Sequence, residues 1–108
     1  MAAIEERWGI RVSQVAVTAD GCLVDFRYAV IDPDKALAML SEPSNLPALM
    51  VEDSGAMVTS LATQGQKHNL RPGHTYFLLY RNTGGALRRG GQVTVIFGDL
   101  RLTHIAVQ

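Results

Sequence analysis

Short apolar runs separated by polar turns follow one another along the chain, a pattern typical of antiparallel β-structure. In the first run, residues 8–18, the alternation of apolar and polar positions changes phase after Gln14. This slip predicts a β-bulge or two short strands, because a strand keeps one face apolar only while its phase holds. Asp20-Gly21 predicts a tight turn into the next strand, residues 22–31. The predicted core face of that strand consists of Cys22, Val24, Phe26, Tyr28 and Val30.

A short helix is predicted directly after that strand. Asp32 supplies a carboxylate at the N-cap position, and Pro33 stands at the first helical position, where its missing N–H costs nothing. The helix should end near Leu40, because Pro43 and Pro47 prevent its continuation and favour an extended connector.

The second half of the chain continues the pattern of strands and turns. Its predicted strands are residues 49–52, 56–62, 75–80, 92–97 and 100–107. The first two flank a compact turn and should form a hairpin. Two long loops separate the others: residues 63–74, which are mostly polar, and residues 82–91, which contain four glycines.

These elements predict an all-β fold: an antiparallel immunoglobulin-like β-sandwich of about seven strands with one short helix, or alternatively a small β-barrel. A chain of 108 residues has the size of one domain, so residues 1–108 are expected to form a single sandwich domain. Apolar residues make up 47% and charged residues 19%, which is within the range of folded globular proteins.

The charge balance argues against several classes of partner. Ten Lys and Arg equal ten Asp and Glu, so no overall field attracts nucleic acid, and we expect no nucleic-acid partner. No apolar run approaches the ~20 residues of a membrane-spanning helix, and no leader peptide is apparent. The single Cys22 excludes an internal disulfide and a cysteine-based zinc site, and on a core face it is expected to be inert.

Five stretches resemble small uncharacterised bacterial all-β proteins that are often predicted to be exported. The stretches are Trp8-Gly9, residues 23–28, residues 32–36, residues 75–77 and residues 93–101. The resemblance implies a β-sandwich and implies no activity, cofactor or site residue. It favours a periplasmic or cell-envelope location if a leader was removed, and a cytoplasmic location otherwise.

Two Asp-x-Arg pairs are the most regular charged motif. Asp25 and Arg27 lie two residues apart on one face of a predicted strand, and Asp99 and Arg101 repeat the spacing. If the two strands are neighbours, the four groups could form a cross-strand charge ladder on a solvent face. We interpret the pairs as structural, because exposed pairs of this kind usually serve solubility and register.

A metal site is a further alternative. The chain has the ligand types for copper or zinc, but no closely spaced His pair. We expect the histidines to be solvated loop or strand residues and the methionines to fill the core. The residues concerned are His68, His74, His104, Met39, Met50 and Met57. No Ser or Cys stands in a nucleophile motif, so we expect no enzyme and no cofactor.

The loop of residues 81–91 is the other candidate site. Arg81, Arg88 and Arg89 lie among glycines that could cradle a phosphate or carboxylate, and Arg71 would strengthen the site if it folded to the same end. The simpler interpretation is a flexible connector whose glycines supply positive φ. The expected function is therefore a non-enzymatic binding or assembly module that acts through protein–protein contacts at loop ends or an edge strand, with anion binding and metal binding as alternatives.

Overall fold

A computed structural model describes residues 2–108, and two antiparallel sheets of four strands each form its framework. The helices are α1 (Ala2–Trp8) and α2 (Pro33–Ser41). The strands are β1 (Ile10–Thr18), β2 (Leu23–Val30), β3 (Ala48–Val51), β4 (Met57–Val58), β5 (Leu61–Thr63), β6 (Thr75–Arg81), β7 (Gln92–Phe97) and β8 (Leu100–Ala106). Sheet 1 has the order β1-β2-β6-β5 and sheet 2 the order β4-β3-β7-β8. The predicted β-rich fold with two antiparallel sheets is confirmed, with a second helix beside the predicted one, and the sheets do not close into the alternative barrel.

The predicted strand count differs because one apolar run divides between the sheets. Residues 56–62 were expected as one hairpin strand, but β4 pairs with β3 in sheet 2 while β5 pairs with β6 in sheet 1. The chain changes sheets at Thr59-Ser60, both of which are exposed. The run therefore supplies an edge strand to each sheet, which brings the total to eight strands.

Helix α1 was not predicted, and Trp8 belongs to it and not to the first strand. Its sequence, AAIEERW, is rich in good helix formers, and Ile4 is its buried residue. The helix ends at Gly9, whose φ of +64° turns the chain into β1. The backbone of Gly9 packs directly on Asp32, where an added Cβ would lie 2.7 Å from the Asp32 carbonyl oxygen.

The other local predictions agree with the structure in three of four cases. The β1–β2 register shifts between Val12 and Gln14, so the predicted bulge is confirmed. The Asp32 carboxylate accepts hydrogen bonds from the backbone N–H groups of Asp34 and Lys35, at 3.0 and 3.3 Å, which confirms the helix cap. The buried face of β2 is confirmed as Val24, Phe26, Tyr28 and Val30.

Cys22 is the exception, because it is exposed. It follows a 3₁₀ turn, Ala19–Gly21, and has helical backbone angles (φ −81°, ψ −25°). The alternation of β2 therefore begins one residue later than predicted, at Leu23. The expectation that the Cys22 thiol is buried is wrong.

The core lies between the two sheets and extends under both helices. Ala36, Met39 and Leu40 of α2 are buried with Ile4 of α1. The largest buried side chains are aromatic and come from β2, β6 and β7: Phe26, Tyr28, Tyr80 and Phe97. Tyr80 uses its hydroxyl to donate a hydrogen bond to the Pro47 carbonyl, which ties β6 to the connector before β3.

The sheets are joined along one side by the last two residues. Val15 of β1 forms a parallel bridge with Val107. The Gln108 N–H donates to the Val15 carbonyl at 2.9 Å, and the Val17 N–H donates to the Gln108 carbonyl at 3.0 Å. Beyond this contact β1 and β8 are edge strands of different sheets. Within residues 2–108, no helix is long and apolar enough to cross a membrane.

Candidate functional site

The outer face of β2 and β6 carries apolar side chains and one ion pair. In the β2–β6 register, Asp25 lies opposite Leu79 and Arg27 lies opposite Phe77, and Leu23 projects on the same side. Leu23, Asp25, Arg27, Phe77 and Leu79 are called here the β2–β6 face. They line a hollow of about 380 Å³ together with Thr18 and Ala19.

Phe77 is the most prominent apolar residue of the β2–β6 face. Its side chain is 40% exposed, although it belongs to a central strand. The backbone of Gly65 lies against it, at a position where an added Cβ would be 3.2 Å from the Phe77 ring. The ring is thus supported by Gly65 and still partly exposed, the arrangement of a contact residue on a preformed surface.

The ion pair in the β2–β6 face is incompletely satisfied. The Arg27 Nε donates to Asp25 Oδ2 at 3.1 Å, with 54% of the arginine side chain and 19% of the aspartate side chain exposed. The other carboxylate oxygen, Asp25 Oδ1, is buried and has no hydrogen-bond partner among residues 2–108. A buried acceptor without a donor is unfavourable, so Asp25 retains the capacity to accept one more hydrogen bond.

The predicted charge ladder does not form. Asp25 and Arg27 lie on β2 of sheet 1, whereas Arg101 lies on β8 of sheet 2. Asp99 belongs to the turn between β7 and β8, and Arg101 is paired in register with Ile96. Only the first Asp-x-Arg motif makes an ion pair within the part of the chain that the structure describes.

Arg71 does not join the other three candidate arginines. Arg71 precedes the start of β6 and Arg81 is its last residue, so the two lie at opposite ends of the strand. The Arg81 guanidinium donates to the Leu61 carbonyl and to Ser60 Oγ, the latter at 3.2 Å. Arg88 and Arg89 are exposed. The condition that favoured an anion site, Arg71 at the same end as the loop, is not met.

The loop after β6 is organised by a buried side chain and not merely a flexible connector. The Asn82 Nδ2 donates to the carbonyls of Gly21 and Leu87, both at 2.9 Å, and its Oδ1 accepts from the Leu87 N–H at 2.9 Å. Leu87 is itself buried in the core. Sequence reasoning missed Asn82, whose signal is an asparagine between a strand and a glycine-rich turn.

A hollow of about 380 Å³ lies between this loop and the β3–β4 turn. Arg88 lines it together with Ser54 and the glycines at 84, 85 and 91. Asp53 lines it as well, and its carboxylate opposes an anion bound there. Anion binding at this loop stays a prediction.

A polar cluster on the outer face of sheet 2 connects three strands. Glu52, which follows β3, accepts from Thr94 Oγ1 at 2.9 Å and from the His104 N–H at 2.7 Å through one carboxylate oxygen. Its other oxygen lies 2.8 Å from His104 Nδ1. The hydrogen bond from the His104 backbone is the main cause that lowers the pKa of Glu52.

The histidines and methionines are separated. His68 and His74 are exposed in the loop before β6, and His104 is on β8. Within residues 2–108, no three His, Cys, Asp or Glu side chains form a group that could hold a metal ion. Met39 is buried as predicted, but Met57 is 49% exposed on edge strand β4, so its assignment to the core is wrong.

Two buried tyrosines are structural. Desolvation raises the pKa of Tyr28 to about 12 and that of Tyr80 further, so both keep their protons near neutral pH.

Comparison of the chain with protein-family models, with curated proteins and with solved structures found no match. The β2–β6 face is therefore the candidate interaction surface that the structure itself offers.

Proposed function

We propose that this chain is a non-enzymatic assembly module that associates with a second copy of itself through the β2–β6 face. The observation that carries the proposal is the exposed ring of Phe77 beside Leu79 in the centre of sheet 1. Apolar side chains at the centre of a sheet face, with charges beside them, have the composition of an interface: an aromatic anchor with polar neighbours.

The charges of the β2–β6 face favour a second copy over an unlike partner. Asp25 and Arg27 stand side by side, so the face carries both signs. A two-fold axis between them brings Arg27 of each copy to Asp25 of the other, as an isologous interface requires. The partner's Arg27 then pairs with the accessible part of the Asp25 carboxylate, whose side chain is 19% exposed.

We further infer that the two sheets belong to the immunoglobulin-like class. The orders β1-β2-β6-β5 and β4-β3-β7-β8 match the strands A-B-E-D and C′-C-F-G of that class, with the short β4 as C′. The resemblance to exported bacterial proteins stays a prediction, and with it a periplasmic or cell-envelope location. Domains of this architecture commonly act by binding through sheet faces and loops, which agrees with an assembly role.

Sedimentation equilibrium over a wide range of protein concentrations tests the proposal. The unmodified chain should show a monomer–dimer equilibrium, and Phe77→Ser should raise the dimer Kd at least tenfold, since a central aromatic contact is worth about 1.4 kcal/mol or more. The matched control is Met57→Ser, which removes an apolar side chain of similar exposure from the other sheet. A Kd that responds equally to both changes, or a chain that stays monomeric to about 1 mM, contradicts the proposal.

A charge exchange tests the two-fold geometry. Arg27→Asp alone should weaken the dimer, because it sets like charges against each other across the axis. The double variant Asp25→Arg with Arg27→Asp should recover most of the loss, because the exchanged pairs are again complementary. Failure of the double variant to recover, in a protein that is folded by circular dichroism, rules out the isologous pairing.

A further inference from the structure

Two methionine side chains lie opposite each other on the outer face of sheet 2, the sheet that does not carry the β2–β6 face. Met50 of β3 is the register partner of Met57 of β4, and opposite residues of an antiparallel pair point to the same side. The next register pair, Leu49 and Val58, is buried in the core, so Met50 and Met57 both face outward. Met57 is 49% exposed and Met50 is half-buried. Met50 and Met57 are called here the methionine pair.

The backbone of the methionine pair is fixed from the core side. Burial of Leu49 and Val58 sets the register, because a slip of one residue in either strand would turn its buried side chain to solvent. The turn between the strands is closed by hydrogen bonds from the Val51 N–H to the Ala56 carbonyl and from the Gly55 N–H to the Val51 carbonyl, each of 2.8 Å. The two Cα positions are therefore set, and only the methionine side chains remain to be oriented.

The spacing of the methionine pair suits a metal ion held between two sulfur atoms. Opposite residues have their Cβ atoms about 4.5–5.5 Å apart. Two metal–sulfur bonds of about 2.3 Å, the length in zinc–thiolate sites, place the sulfur atoms about 4.6 Å apart when they stand on opposite sides of the ion. The two spans match. Methionine also has three rotatable side-chain bonds with which to bring its sulfur to the ion while the backbone stays in place.

The surroundings of the methionine pair favour a soft cation. Thioether sulfur is a soft ligand that selects Cu(I) over hard ions such as Mg²⁺ or Ca²⁺. Glu52 stands two residues beyond Met50 on the same face, where its carboxylate is already hydrogen-bonded to Thr94 and His104 through both oxygens. Glu52 therefore adds a negative charge that favours a cation, but it offers no oxygen that is free of hydrogen bonds.

The candidate site consists of two thioethers alone and differs from a mixed site of His and Met. His104 lies on β8, with β7 between it and β3, and its Nδ1 is held by Glu52 at 2.8 Å. Arg101, a cation of the same sheet, is likewise on β8. On the other side of Met50 from Glu52, the half-buried register partners Ala48 and Ile96 give the site an apolar border.

We propose that the methionine pair binds one Cu(I) ion between its two sulfur atoms. Because Met57 lies on a two-residue edge strand and is half exposed, the ion reaches the pair from solvent without any opening of the fold. Thioethers carry no proton, so the ion displaces none when it binds, unlike an ion held by thiol, imidazole or carboxyl groups. The site lies on the other sheet from the β2–β6 face and does not depend on the proposed dimer.

Calorimetric titration with silver nitrate in chloride-free buffer tests the proposal, with Ag(I) as an air-stable substitute for Cu(I). The background is Cys22→Ser, because the exposed thiol would bind the same soft ions. One equivalent should bind. Met50→Leu and Met57→Leu should each raise Kd at least about tenfold, since even indirect partners of metal ligands are worth that much. The matched control is Met39→Leu, which removes a buried thioether and should leave Kd unchanged.

The pH dependence separates a thioether site from one that contains His ligands. Kd should be the same at pH 5 and pH 8, since thioethers do not titrate and Glu52, whose pKa is lowered, stays charged. A site that includes His104 weakens towards pH 5, because the imidazole takes up a proton. Excess Zn²⁺ should not displace the ion. A Kd that rises at pH 5, displacement by Zn²⁺, or an affinity that survives both leucine variants overturns the proposal.

Methyl NMR locates the ion. In protein labelled at the methionine methyl groups, the signals of Met50 and Met57 should shift together up to one equivalent of Ag(I), while that of the buried Met39 stays in place. Cu(I), supplied as its acetonitrile complex under nitrogen, should shift the same two signals. A shift at Met57 alone refutes the paired site, and a response to Ag(I) without one to Cu(I) contradicts the assignment of copper. The Phe77→Ser chain should respond identically, so failure of the dimer proposal leaves this result unaffected.

Discussion

Replacement of Asn82 by alanine should destabilise the protein more than any other single polar substitution in its loops. The side chain is buried and makes three hydrogen bonds, each of 2.9 Å, that hold Gly21 and Leu87. At about 1 kcal/mol net for each bond, the loss is about 3 kcal/mol. For a domain of this size, that loss lowers Tm by about 10–15 °C.

Urea unfolding followed by far-ultraviolet circular dichroism measures the effect, with the m-value checked so that the change in midpoint reports stability alone. The matched control is Thr83→Ala, one residue along, because Thr83 is exposed and its hydroxyl makes no hydrogen bond within residues 2–108. It should change the free energy of unfolding by no more than about 0.5 kcal/mol.

A second variant separates the donor role from the acceptor role. Asn82→Asp keeps an acceptor for the Leu87 N–H but turns a charged oxygen towards two carbonyls. It should therefore be at least as destabilising as alanine at neutral pH, and it should recover part of the loss at low pH, where a protonated carboxyl can donate one bond. A loss below about 1 kcal/mol for Asn82→Ala would refute the idea that this side chain organises the loop.

Three further outcomes follow from the fold. Gly9→Ala should lower the free energy of unfolding by about 3 kcal/mol or more, because the new methyl group lies against Asp32 and the residue has a positive φ. Gly21→Ala has the same unfavourable φ but open space around the methyl group, so it should lower the free energy by about 1 kcal/mol. Thermal unfolding measures both. Glu52 has a lowered pKa, so its contribution to the free energy of unfolding is present above pH 4.5 and is lost as the pH falls through the folded-state pKa. In denaturation experiments from pH 3 to 7, Glu52→Gln should therefore lose less stability at acid pH than the unmodified chain. An unchanged dependence on pH contradicts this prediction. Cys22 should react with one equivalent of a thiol reagent in the folded chain, and protection until unfolding contradicts its exposed position.

The sequence predicts most of sheet 1 because its strands follow simple alternation. In β2 the buried side chains alternate with outward ones over eight residues, and turns bound the strand on both sides. Two apolar residues on the outward side of β6, Phe77 and Leu79, were visible in the same alternation. They were the available signal for the β2–β6 face, since an outward apolar pair in a half-exposed sheet needs an explanation.

The structural features that the sequence does not predict are those that leave the alternation of apolar and polar positions unchanged. Helix α1 is seven residues long with one buried side chain, too short for a helical period to be recognised. The change of sheet between β4 and β5 leaves the apolar run unbroken. Cys22 continues the alternation of β2 although its backbone is still in the turn.

The Glu52 cluster could not be predicted for a related reason. Glu52 and His104 are 52 residues apart, and they meet because β7 lies between β3 and β8. The bulge that turns His104 towards Glu52 has no local marker, since His104 is not a glycine and has positive φ only through tertiary contacts. The candidate arginines, in contrast, are obvious in sequence, but Arg71 lies at the opposite end of β6 from the loop that carries the others.

The bridge between Val15 and Val107 gives the fold an order of completion. The outer backbone partner of β1, Gln108, lies more than ninety residues further along the chain. Until Gln108 is in place, Val15 and Val17 leave two open hydrogen-bonding positions at the edge of sheet 1, and a partly folded chain with such an edge is prone to pair with its neighbours. Docking of Val107 and Gln108 is therefore the step that protects this edge from aggregation, and a variant without these two residues would leave it open.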